Sequence, residues 1–84
     1  MKIYWNGTSK NIIGSKIRQL RQEKGLSQAA LANQLQLLGM ECSDLTILRI
    51  EQGSRFVPDY EVVILAKYFN ISTDTLLGQK EADS

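Results

Sequence analysis

Apolar residues recur along the chain at helical spacing, and glycines and capping residues divide them into short blocks. Ile13, Ile17 and Leu20 lie three and four residues apart and predict a first helix from about Ile12 to Lys24. Asn11 stands before it as a cap and Gly25 after it as a stop. Ser27 opens a second helix, where its hydroxyl can accept from a free first-turn amide. Ala30, Leu31, Ala32 and Leu35 give that helix a face of mostly small residues, and it is expected to end near Leu38 with Gly39 as terminator. The third helix runs from Ser43, as cap, to Gln52, with Gly53 as stop and Ile47 and Ile50 pointing inward. A fourth begins after Pro58 with Asp59 as cap, its apolar side made by Val62, Val63, Leu65, Ala66 and Phe69. A short fifth helix follows Thr73 and closes at Gly78, with Leu76 and Leu77 as plugs. The sequence carries no strand pair and no internal repeat. The pattern predicts a compact all-α, five-helix domain.

The chain divides into an N-terminal arm at 1–10, a helical domain at 11–78 and a polar tail at 79–84. The arm places Ile3, Tyr4 and Trp5 ahead of an Asn6-Gly7 turn signal. So apolar an arm is expected to dock, either on the domain's own core or on a second subunit.

Composition narrows the chemistry. With 84 residues there is room for one core and little for an enclosed catalytic cleft. The chain has no histidine, which removes the commonest general base and metal ligand. Cys42 is the single cysteine, so neither an internal disulfide nor a multi-cysteine zinc site is available, and it reads as a small packing residue. No nucleophile–base pair, metal cluster or glycine-rich phosphate loop is present. An enzyme, a metal and a cofactor are therefore not expected. Met1–Gly14 holds no apolar run fit for a signal peptide, and no stretch approaches the roughly 18–20 residues of a membrane span. A cytoplasmic protein without membrane association is expected.

The net charge of +1 hides an asymmetry. Residues 1–42 carry a net +4, from Lys2, Lys10, Lys16, Arg18, Arg21 and Lys24 against two acids, while 43–84 carry −3. A basic half suits a polyanionic partner, and a solvated charged helix face is the plainer alternative.

Three blocks then stand out in order: Leu26-Ser27-Gln28-Ala29-Ala30-Leu31-Ala32, Ile50-Glu51-Gln52-Gly53, and Ala66-Lys67-Tyr68-Phe69-Asn70-Ile71-Ser72 leading into Leu76-Leu77-Gly78. Together they resemble the Cro/repressor-type helix-turn-helix family over about Ile12 to Gly78. The resemblance implies a five-helix repressor-type fold and a transcriptional regulator, most often a repressor. It also implies a homodimer that binds double-stranded DNA, with the segment Ser43–Gln52 in the major groove.

The physical logic runs beside the resemblance. A helix of about nine residues held proud by two others fits the ~12 Å major groove. The second helix would cross the backbone, its positive end near a phosphate, with Ser27 and Gln28 in that first turn. Helical rotation of 100° per residue puts Asp44, Leu45, Leu48, Arg49 and Gln52 on the outer face, with Thr46 at the margin. Arg49 can fork onto guanine, Leu45 can pack on a thymine methyl, and Asp44 can accept from cytosine or simply serve the helix dipole. Ser54 and Arg55, in the following loop, are candidate phosphate contacts. The resemblance further implies that Arg21 and Glu51 form a structural ion pair tying the first helix to the third.

Two features depart from the family pattern. About five extra residues, within Gln36–Cys42, lengthen the usually tight turn between the second and third helices. Leu37, Leu38 and Met40 make that insertion apolar; it could extend the second helix or tilt the reading helix. Leu45 and Leu48 on the outer face also suit a protein-binding patch. A protein-interaction module on the same fold, and an antitoxin-like regulator binding both DNA and a toxin protein, are the competing functions.

Overall fold

The computed structural model describes residues 9–79. The expected Ile3-Tyr4-Trp5 arm and the polar tail beyond Gln79 lie outside the described residues. Five helices follow in order: α1 (Gly14–Glu23), α2 (Gln28–Leu37), α3 (Asp44–Gln52), α4 (Asp59–Phe69) and α5 (Thr73–Leu76). There is no strand among the described residues. The expected all-α, five-helix architecture is present. α3 packs against both α1 and α2, while α4 closes the other side against α2 and α5.

The core is one cluster drawn from every helix. Ile17, Leu31, Leu35, Ile47, Ile50 and Leu65 are completely buried, with Ile13, Met40 and Leu76 beside them. Ile47 and Ile50 point inward as their spacing required. Leu35, in the last turn of α2, and Met40, in the middle of the lengthened turn, both enter this cluster.

Several boundaries differ from the sequence expectations. α1 begins at Gly14, not Ile12, and the residue before it is Ile13. Asn11 still does the capping work from further out: its Oδ1 accepts from the amides of Ile13 (3.2 Å) and Gly14 (2.9 Å). α3 crosses α1 closely at Gly14. A side-chain carbon on Gly14 would lie 2.9 Å from the Glu51 carbonyl oxygen and closer still to that of Ile50. Asp59 is the first residue of α4, not its cap; Pro58 takes the cap position without a side-chain hydrogen bond. Proline presets the backbone dihedral at that entry. α5 starts at Thr73, because Ser72 rather than a later residue caps it by accepting from Thr75.

The lengthened turn does not extend α2 beyond Leu37. The chain leaves the helix at Leu38, turns through Gly39 at a φ of +92°, and plugs Met40 into the core at 1% exposure. The Gln36 side-chain amide donates to the Cys42 carbonyl, closing the turn on itself. Cys42 is buried and its thiol faces the Ala32 carbonyl. Burial, the largest influence, pushes the thiol pKa up from its usual value. Val63, expected on the apolar side of α4, is 41% exposed, while Glu61 occupies the inner stripe at 4%.

Candidate nucleic-acid interface

α3 packs one side against α1 and α2 and leaves the other exposed. Its start is a capping box: the Ser43 hydroxyl accepts from the Thr46 amide and the Thr46 hydroxyl accepts from the Ser43 amide at 3.1 Å. Asp44 lies in the first turn, where its carboxylate accepts from the Leu45 amide and complements the positive end of the helix. Gly53, in the left-handed region at φ +76°, ends the helix by donating to carbonyls of its last turn.

The opposite end of α3 is clamped by the chain entering α1. The Asn11 amide donates to the carbonyls of Ile50 (3.1 Å) and Arg55 (2.8 Å), while its oxygen serves the first amides of α1. All four hydrogen-bonding sites of this one side chain are used. The Lys10 amide donates to the Gly53 carbonyl at 2.6 Å. One asparagine thus ties the end of α3 to the beginning of α1.

A second tie runs through Arg21 and Glu51. Arg21 Nε donates to Glu51 Oε2 at 2.6 Å and Nη2 to Oε1 at 3.1 Å, while Nη1 donates to the Leu26 carbonyl at 2.8 Å. Their side chains are 13% and 5% exposed. Gln28 joins from α2, its amide donating to Glu51 Oε1 at 3.2 Å. The Glu51 carboxylate therefore gathers α1, α2 and α3 at one point. This hydrogen bonding makes the already firm proton of Arg21 firmer still.

The sequence-predicted residues separate into groups. Asp44, Leu45, Arg49 and Gln52 form an exposed row along α3. Leu48 and Thr46 are half-buried, Leu48 turned toward a cleft and Thr46 engaged in the helix cap. Arg18, Arg21, Gln28, Leu48, Glu51 and Gln52 line that cleft, which has a volume of about 240 Å³. Ser27 is exposed, with its hydroxyl accepting from the Ala30 amide. Ser54 is exposed beside the last turn, its hydroxyl donating to the Arg49 carbonyl at 3.3 Å. Among the described residues, neither Arg18 nor Arg49 makes an ion pair.

Arg55 has a partner that its position in the chain does not announce. Nη1 donates to Glu61 Oε1 at 2.7 Å and Nη2 to Oε2 at 3.2 Å. This pairing is the largest cause of its raised basicity. Glu61 was not among the sequence candidates, although one signal was present. It sits four residues before Leu65, so both share the inner stripe of α4 and the acid must find a donor there. The clamping role of Asn11 was also missed, because its carbonyl partners lie about 40 positions away in sequence.

Comparison with known proteins agrees with this geometry. A family model described as a helix-turn-helix domain matches residues 12–77. The chain is also similar to a solved structure of the P22 c2 repressor protein in complex with a synthetic operator in the presence of Tl+. That likeness has a TM-score of 0.68 and 24% sequence identity, and it covers 83% of this chain and 98% of that one. At that identity the likeness speaks for the fold. No curated protein matches. With the family model spanning most of its length and its helices arranged as in a repressor-type fold, the chain belongs to the helix-turn-helix domain family.

Proposed function

We propose that the chain is a sequence-specific double-stranded DNA-binding regulator that inserts α3 into the major groove, most simply as a repressor. The observation that carries this reading is the two-sidedness of α3. Ile47 and Ile50 are wholly buried on one side, and Asp44, Leu45, Arg49 and Gln52 are exposed on the other. A rigid helix with an outward arginine and glutamine suits base-edge recognition. The neighbouring likeness is a repressor in complex with an operator, which supports the same reading.

In this reading Arg49 forks onto guanine and Gln52 onto adenine, with Leu45 and Leu48 against thymine methyls and Asp44 and Thr46 at the leading end. Ser27 and Gln28 meet a phosphate at one flank, Ser54 and Arg55 at the other. Arg55 keeps N–H donors beyond those on Glu61 and Phe56, and Gln28 keeps a second amide hydrogen. The domain works as a homodimer on a two-fold site, since two half-sites supply affinity that one lacks. Such a dimer would neutralise about 6–8 phosphates, giving a log–log salt slope near −6. The cytoplasm is the matching compartment; no helix among the described residues is long and apolar enough to cross a membrane.

Selection of bound sites from random duplexes, followed by titration across salt, tests the reading. A recurrent two-fold motif with a steep salt slope is expected. Equal binding to all duplexes, or none at low salt, overturns it.

A second reading has its own observation. Leu37 is 86% exposed, Leu38 51% and Leu45 46%, all on or beside the lengthened turn. These leucines favour a protein partner there, in an interaction module or an antitoxin-like regulator that also holds a toxin protein. Co-purification of a stoichiometric partner, lost on Leu37→Asp, separates it from DNA binding alone.

A further inference from the structure

α1, α2 and α3 converge on the cleft of about 240 Å³ lined by Arg18, Arg21, Gln28, Leu48, Glu51 and Gln52. Its charges do not balance. The Glu51 carboxylate accepts both prongs of Arg21 and the Gln28 amide, so the charges of Arg21 and Glu51 cancel. Arg18 stays exposed and makes no ion pair among the described residues. No acid on α1 is placed to serve it, since the residues three and four positions away are Gly14, Ser15, Arg21 and Gln22. Arg21, one turn on, carries the same charge, and like charges at that spacing are unfavourable. Glu23, at the end of α1, accepts from Gln19 instead.

We propose that this cleft seats one phosphate of the DNA backbone, with Arg18 as the cation that holds it. The inference rests on the proposed entry of α3 into the major groove and adds α1 to the elements that touch the duplex. Leu48 and Gln52 lie one turn apart on α3 and form one wall of the cleft, so a groove that takes α3 brings its sugar-phosphate edge alongside Arg18. The lining is rich in donors. The Arg18 guanidinium can fork onto two phosphate oxygens, Arg21 keeps N–H donors beyond those on Glu51 and Leu26, and Gln28 keeps a second amide hydrogen. The carboxylate that would repel an anion is neutralised by Arg21 and is 5% exposed. Such a contact reads no base. Arg18 from α1 and Gln28 from α2 grip one phosphate edge between them and fix the register of α3 in the groove.

Titration across salt, with the duplex recovered by site selection, tests the seat. Arg18→Ala should weaken binding several-fold on every duplex, selected or not, and move the log–log salt slope from about −6 to about −4, one unit for each protomer of a dimer. Arg18→Lys should keep the slope, and both variants should melt as the unmodified chain does. Lys67→Ala, which removes an equal charge from α4, should leave the slope unchanged. With a methylphosphonate walked along the duplex, one neutralised position in each half-site should cost the unmodified chain several-fold and cost Arg18→Ala nothing further. An unmodified chain that binds no duplex at low salt overturns the DNA reading and this inference together. Site-selective binding whose slope survives Arg18→Ala, or falls equally with Lys67→Ala, overturns the phosphate seat alone. So does displacement of the duplex by millimolar inorganic phosphate at constant ionic strength from the unmodified chain but not from Arg18→Ala, which would give the cleft to a free anion.

Discussion

Arg55, in the loop after α3, closes a two-pronged ion pair with Glu61 on α4, and the glutamate is 4% exposed. Removing the arginine strands a carboxylate among apolar neighbours. Arg55→Ala is expected to cost about 3 kcal/mol of stability. Replacing both residues by apolar ones of similar size should cost less than that single change, because the desolvation of the pair disappears with it. Urea denaturation of the two single variants and the double variant measures the difference; simple additivity would contradict a coupled pair.

Gly14 tests the crossing of α1 over α3. Alanine is favoured over glycine inside a helix by about 1 kcal/mol. Here the added methyl meets the carbonyls of Ile50 and Glu51. Overpacking of about 1–3 kcal/mol or more should outweigh the helical gain. Gly14→Ala should therefore lower the melting temperature, and a rise would show that the helices can part freely.

The thiol of Cys42 supplies a pH prediction. Burial raises its pKa in the folded chain, so the unfolded chain releases the proton first as pH rises. The stability it contributes is present in full below about pH 8.5 and is lost as pH climbs through the folded value. Wild type should weaken more steeply than Cys42→Ala between neutral and alkaline pH in denaturation curves. In the native state the thiol should also react slowly with an aromatic disulfide reagent and become fast in denaturant.

Arg49 and Glu51 separate reading from holding. Arg49→Ala removes an exposed side chain with no ion-pair partner among the described residues, so the melting temperature should hardly move. Preference for the selected site should fall by about 1–3 kcal/mol, while nonspecific binding changes less. Glu51→Ala leaves Arg21 and Gln28 without their shared acceptor, and stability should fall by about 3 kcal/mol. If Arg49→Ala instead kept the full site preference, its assigned role in base recognition would be wrong.

The helices were legible in the sequence because their signals are local. Spacing of Ile47 and Ile50 located the inner side of α3, and Ser27 and Ser43 marked helix starts that the structure keeps. What stayed hidden was the set of bonds between segments remote in sequence. Asn11 reads locally as a cap, and its donors to Ile50 and Arg55 exist only after folding. Arg55 looked like a free loop cation because a sequence does not show how close Pro58 brings the loop to the inner stripe of α4. The start of α1 differs for a related reason: Ile12 fits helical periodicity, yet Asn11 caps the amides of Ile13 and Gly14 while its own amide is held by Ile50 and Arg55.

Met40 has a consequence for how this fold tolerates change. By entering the core midway between α2 and α3, it acts as a peg that fixes the connection at its centre. The exposed Leu37, Leu38 and Glu41 beside the peg should then vary in kind without displacing α3, whereas Gln36 and Cys42, which close the turn, should not. Homologous loops could share one docking geometry so long as an apolar side chain fills that socket, whereas a polar residue there should unseat the helix even with the loop length unchanged.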